Sequence, residues 1–149
     1  MLRFFLLTLI FTGIGESKVT YISDGDTIWV KGINRSIRLG YIDCPETTQP
    51  YGLEAKEYLL NRILGEEVSI NITGDDRKHD RIIGEVFYKD ENLNKTMVEK
   101  GYAWVYDYYC DQEPLCSELK ALEAKAREQK LGLWKMAKPV EPWVWRRNH

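Results

Sequence analysis

Histidine is scarce. The 149 residues hold two, His79 and His149, well separated along the chain. Cysteine is nearly as rare, with Cys44, Cys110 and Cys116 alone, so no His or Cys cluster has zinc-site spacing. Glycine and proline are not in excess, no low-complexity block is present, and nothing repeats with a period of about 20–50 residues. Those absences exclude collagen-like, disordered and solenoid architectures. Positive charge is not in surplus either. The formal net charge is −2, which argues against a protein that coats nucleic acid by bulk charge but not against a local positive site. Beyond the first residues, no segment is apolar for the about 20 residues that a membrane span needs.

What is present is a chain of one-domain length, with 44% hydrophobic and 30% charged residues, a globular balance. Its start stands apart. Arg3 precedes the apolar run FFLLTLIFTGIG, which ends in small residues before Glu16. A basic start, a short apolar middle and a small-residue exit are the order of a secretory signal. Residues 1–17 are therefore expected to be a signal peptide cut near Gly15 to Ser17, with secretion or delivery to the periplasm as the consequence. An uncleaved anchor and a buried first strand are the alternatives. Export permits a disulfide, and Cys110 and Cys116 flank a short proline-bearing loop that a bridge would close, leaving Cys44 free. Residues 119–149 carry eight Lys or Arg against three Glu, a local basic surplus that is either a solvated face or part of a binding surface.

The front half reads as short strands between turn signals: 18–22, 27–30, 36–42, 67–72 and 81–88. Between the third and fourth of these, residues 52–64 carry helical spacing and end at Gly65. A short helix is expected over 93–100 and a longer one over 114–130, where Leu115, Leu119, Leu122 and Ala126 form one apolar stripe. Residues 102–109 are aromatic and read as extended. The tail, 137–149, contains Pro139 and Pro142 and is expected to be an extended arm or mobile. The layout is α+β, and a small OB-type barrel is one fit to it.

Acidic residues gather at two turns. SDGDT supplies Asp24 and Asp26, and YIDCPET supplies Asp43 and Glu46 at the end of the third strand. Carboxylates on neighbouring strand ends can converge on one hard, oxygen-seeking cation such as calcium or magnesium. Neither stretch is an EF-hand loop. Arg38 lies five residues before Asp43, and Arg81 opens the fifth strand. A guanidinium beside a metal-carboxylate site suits a phosphate ligand, to which it donates two parallel hydrogen bonds. Each piece alone reads equally well as a plain turn or a surface charge; the combination carries the weight.

In order, VTYISDGDTIWV, IRLGYIDCPET, DRIIGEVFY and VEKGYAWV resemble the staphylococcal-type thermonuclease family, from about Lys18 to Trp134. The resemblance implies a five-stranded OB-fold β-barrel with about three α-helices over residues 18–136. It implies a calcium-dependent nuclease that hydrolyses DNA and RNA, breaking the bond to the 5′-oxygen and leaving 3′-phosphates. It places the two calcium carboxylates on Asp26 and Asp43, a backbone carbonyl ligand on Cys44, and, on Asp24, an acid near the metal that does not bind it directly. It places the catalytic glutamate on Glu46 and the phosphate-binding arginines on Arg38 and Arg81. Lys78 matches a phosphate-contacting lysine, and Tyr109 matches one of two base-stacking tyrosines. The chain departs from the family at His79, where a tyrosine is expected, and at Asp107, where the second stacking tyrosine would fall. The expected substrates are single-stranded or locally melted nucleic acid, and the expected state is a monomer. Two competing readings are a non-catalytic OB-fold that holds single strands and a purely structural calcium-binding protein.

Overall fold

The computed structural model describes residues 13–149; most of the expected signal peptide, up to residue 12, lies outside the described residues. Chain order begins with β1 (Gly13–Asp24), β2 (Thr27–Val30), β3 (Ser36–Leu39) and β4 (Ile42–Asp43), followed by α1 (Gly52–Ile63). Next come β5 (Glu67–Asp76), β6 (Arg81–Tyr88), β7 (Glu91–Asn92) and α2 (Leu93–Glu99). The short β8 (Trp104–Val105), α3 (Leu115–Glu128) and α4 (Pro142–Asn148) complete it. Five strands run in the order β3-β2-β1-β5-β6, and a parallel pairing of β3 with β6 closes them into a barrel. The expected α+β OB-type barrel is thus the fold, with four α-helices among the described residues where about three were expected.

Alternation along the strands fills the barrel. Val19, Ile22, Ile28, Val30, Ile37, Leu39, Val68, Ile70 and Val86 are buried in one cluster. The inward face of α1, with Ala55, Leu59 and Ile63, packs onto it, as does Leu119 of α3. Burying an aliphatic side chain of this size contributes about 1.5–3 kcal/mol, so this cluster is the main source of stability. One buried polar residue ties strands together. The Asn94 amide donates to the carbonyls of Gly40 and Gly84, and its oxygen accepts from the Val86 N–H. That bonding fixes the end of β3 against β6, which sets the spacing of the arginines on those strands.

Three expectations change. The stretch TGDD does not turn the chain: β5 continues to Asp76, with Gly74 opposite Ile83 after an irregularity in register. Residues 102–109 are extended only over Trp104–Val105 and then form a 3-10 turn over Asp107–Tyr109. The tail is not an extended arm, because Pro142–Asn148 is helical. Pro142 sits in the first turn, where a missing N–H costs nothing and the fixed φ suits a helix. Residues 13–17, which carry the expected cleavage point, form the outer end of β1 and pair with β5.

Candidate active site

The acidic turn and the loop after β4 come together because β1, β2 and β3 are adjacent. Asp26, at the entry to β2, and Asp43, in β4, are 4% and 1% exposed. Asp26 uses one oxygen to accept the Cys44 N–H at 2.7 Å, which locks the two segments edge to edge. Its other oxygen accepts from the Thr27 hydroxyl. Asp24 caps the turn by accepting the Asp26 N–H at 3.0 Å. Burial, with Asp26 beside it, pushes the Asp24 carboxyl up to about 8. Burial also raises the Asp43 carboxyl, against the pull of its arginine partners. Both acids therefore resist ionising where they stand, and added positive charge beside them would favour their carboxylate forms.

Part of that charge comes from Arg38. Its Nη1 lies 3.3 Å from Asp26 and its Nη2 donates to Asp43 at 3.1 Å. Nη1 also donates to the carbonyls of Leu39 and Ile42. Burial works against the charged guanidinium, but Asp26 and Asp43 outweigh it and hold it firmly protonated. A guanidinium has five N–H donors, so Arg38 keeps some for a ligand while its others hold the acids in place. It is a structural counterion as well as a candidate clamp.

Glu46 sits on the loop between β4 and α1. Its N–H donates to the Gln49 side chain, and its carbonyl accepts from the Gln49 N–H. Tight packing behind the loop explains Gly52: a Cβ there would lie 1.7 Å from the Glu46 carbonyl oxygen. Tyr41 and Tyr51, which bracket the segment, both have left-handed φ values, 66° and 69°. Such backbone is strained for tyrosine and persists where packing dictates it.

Arg81 reaches the same place from β6. It is opposite Ser36 on the parallel neighbour β3, two residues from Arg38, so the two arginines emerge about 7 Å apart along the strand direction. Asp76 holds its guanidinium with bonds of 3.1 and 2.6 Å, and His79 donates to the same carboxylate region. Burial would raise the Asp76 carboxyl, but the Arg81 and His79 bonds prevail and bring it down to about 2. One open cleft of about 860 Å³ is lined by Asp24, Asp26, Arg38, Asp43, Glu46, Lys78 and Arg81, with Tyr109 at its rim.

Cys44 lies behind the wall of this cleft. A Cβ on Gly25 would meet its sulfur at 3.0 Å, so the thiol faces the core. Burial pushes that thiol well above its ordinary value and keeps it neutral. Only the Cys44 backbone can serve a cation. Among the described residues, no group of three or more His, Cys, Asp or Glu gathers into a metal site by itself. The donors that do converge, the carboxylates of Asp26 and Asp43 with Asp24 beside them, are oxygen only. They fit calcium or magnesium completed by carbonyl and water oxygens, and not a soft metal.

Two features escaped the sequence. The first is Arg146 of α4, which donates to both oxygens of Asp43, at 3.2 and 2.7 Å, and to Glu46 at 2.6 Å. The only hint was the basic surplus of the C-terminal residues. The second is the aromatic seat that holds α4: Trp143 stacks on Tyr106 at 4.9 Å and meets Trp104 edge-on. Asp107, in the position of an expected stacking tyrosine, pairs instead with Lys120. Tyr109 remains 60% exposed, free to stack. Cys110 and Cys116 form the expected disulfide, and Cys44 is free and buried.

A barrel with a cleft of acids and arginines at the strand ends is the arrangement of a phosphodiester-cleaving enzyme. The chain matches the family described as Staphylococcal nuclease homologue over residues 36–136, and it belongs to that family. It is 40% identical over 134 residues to an uncharacterized endonuclease of Escherichia coli, covering 88% of this chain and 84% of the relative. It is 37% identical over 144 residues to the micrococcal nuclease of Shigella flexneri, covering 89% and 80%. It is 36% identical over 112 residues to a staphylococcal-like nuclease of Arabidopsis thaliana, covering 75% and 33%. The protein is a hydrolytic nuclease of this family. The matched segment holds Arg38, Asp43, Glu46 and Arg81, while Asp24, Asp26 and Arg146 lie beyond it.

Proposed function

We propose that the protein is an exported, calcium-dependent nuclease that hydrolyses phosphodiesters of both DNA and RNA at the 5′-oxygen, leaving 3′-phosphates. The observation that carries this reading is the single cleft in which two buried aspartates, two arginines and Glu46 converge. When bound at Asp26, Asp43 and the Cys44 carbonyl, calcium would supply Lewis-acid polarisation of a phosphate oxygen. The remaining work falls to side chains. Arg38 and Arg81 donate to the phosphate, and those bonds strengthen as negative charge builds on its oxygens. Arg81 must exchange its Asp76 bonds for phosphate bonds to do so. Glu46 accepts a hydrogen bond from the attacking water and orients it, or takes its proton. Lys78 neutralises a neighbouring phosphate, and Tyr109 offers a face to an unstacked base, which favours single-stranded or locally melted substrate. Hydrolysis by this set requires no 2′-hydroxyl on the substrate, which is why both nucleic acids are proposed as substrates.

The apolar N-terminal run and the Cys110–Cys116 disulfide support export to the periplasm or beyond the cell, and the proposed acting unit is a monomer. The test is digestion of plasmid and RNA with calcium or with EGTA, followed by end-group analysis. The reading requires cleavage of both substrates in calcium only, with 3′-phosphate ends. Cleavage unaffected by EGTA, or 5′-phosphate products, would refute it.

A further inference from the structure

Asp43 is almost fully buried, yet both of its oxygens are taken by a residue 103 positions away. The guanidinium of Arg146 bridges Asp43 and Glu46, so it sits where the two acids of the reaction face the cleft. The hydrogen bonds it donates to Asp43 foremost, and then to Glu46, hold this arginine more firmly protonated than usual. The contact is not an accident of a loose side chain. Trp143, one turn earlier, stacks on Tyr106 and packs on the Trp104–Trp134 pair. Pro142 is buried, and the Gln49 side chain, whose own loop carries Glu46, donates to the Val140 carbonyl at 2.6 Å. Three separate anchors thus aim Arg146 into the site.

We infer that the C-terminal helix is a built-in plug: Arg146 occupies the positive-charge position between Asp43 and Glu46 and competes with the divalent cation for it. A guanidinium bonded to both oxygens of Asp43 and a cation coordinated by the same carboxylate would place like charges in contact. One must leave. The inference rests on the calcium reading above and adds a regulator to it. Binding of the cation and docking of α4 are then antagonistic, and by linkage each weakens the other by the same factor. Arg146 is half-exposed, so it can leave without unfolding the barrel. Helix α4 spans only Pro142–Asn148, and a helix that short is unstable in water once undocked.

The test is calcium titration by calorimetry on the full-length protein and its variants. Arg146→Gln removes the plug's charge, and Trp143→Ala loosens its anchor without touching the carboxylates. Arg147→Gln changes the same net charge at the neighbouring exposed position. The expected result is calcium binding tighter by about fivefold or more in the first two variants and unchanged in the third. Saturating calcium should also speed hydrogen exchange at the Val144 and Trp145 amides, which bond to the Glu141 carbonyl when the helix is formed. Calcium affinity equal to or weaker than wild type in Arg146→Gln would overturn the plug while leaving the calcium reading intact. A protein that binds no calcium with or without Arg146 would sink the calcium reading, and the plug with it.

Discussion

The two sides of the cleft are held in different ways. On the barrel side, Asp26 and Asp43 are buried and cross-bonded with Arg38, from the turn before β2, from β4 and from β3. On the rim side, Lys78, His79, Arg81 and Tyr109 sit on a strand end, a turn and a 3-10 segment, with Arg81 tethered by Asp76 alone. The barrel side is preorganised: Arg38 already joins Asp26 and Asp43 within the folded chain. The rim side must trade internal ion pairs for substrate. A phosphodiesterase needs both, a fixed centre where charge develops and a yielding edge where a polymer enters and leaves. The plug belongs to the second kind, since it too is an internal ion pair that a ligand must displace.

This contrast predicts different responses to mutation. The largest effect should fall on catalysis alone. Glu46→Gln keeps shape and loses the carboxylate that serves water, so kcat should fall by about 10²–10⁴ while the melting temperature holds. Wild-type cleavage in that variant would remove Glu46 from the mechanism. Arg38→Ala should damage both properties. It leaves Asp26 and Asp43 buried with less opposing charge and should cost about 3 kcal/mol in denaturant unfolding, besides its loss of rate. Arg81→Ala should be the opposite case. Removing one donor to the phosphate should cost about 10²–10³ in rate, yet its partly exposed pair with Asp76 should cost under about 1 kcal/mol of stability. Equal stability losses for the two arginines would erase the distinction between the two sides.

The smallest expected effect is a pH dependence on the rim. The Asp76 carboxyl is lowered from 3.8 to about 2 in the folded protein. Its contribution is therefore complete above about pH 4 and is lost as pH falls toward 2. Because the side chain is near solvent, the contribution should be no more than about 1 kcal/mol. Asp76→Asn should flatten the acid limb of the stability profile between those pH values, measured by urea unfolding. An unchanged limb would mean that the pair is screened to nothing.

Much of the barrel side was legible in the chain. Strand alternation such as Ile37 and Leu39 located the core, and the order Asp26, Arg38, Asp43, Glu46 carried both the motif and the cleft. There the resemblance named the residues, and adjacent strands and turns bring them to one cleft. Arg81 needed the fold, since only the parallel pairing of β3 with β6 sets it beside Arg38. The tail was misread for a physical reason. Pro142 breaks a helix from inside but starts one from its first turn. Arg146 was illegible for another: its position depends on Trp143 finding Tyr106, a contact with no local signature. The extension of β5 through Gly74 was hidden because TGDD carries turn residues, while its pairing partner on β6 decides otherwise.

The proposed cation site at the buried aspartate pair is tested most directly by thermal melting of the wild type and Asp43→Asn in rising calcium, with and without a nucleoside 3′,5′-bisphosphate. The wild-type melting temperature should rise with calcium, and rise further with the nucleotide, with no such rise in Asp43→Asn. A wild type whose melting temperature ignores calcium, or a variant that responds as the wild type does, would contradict it.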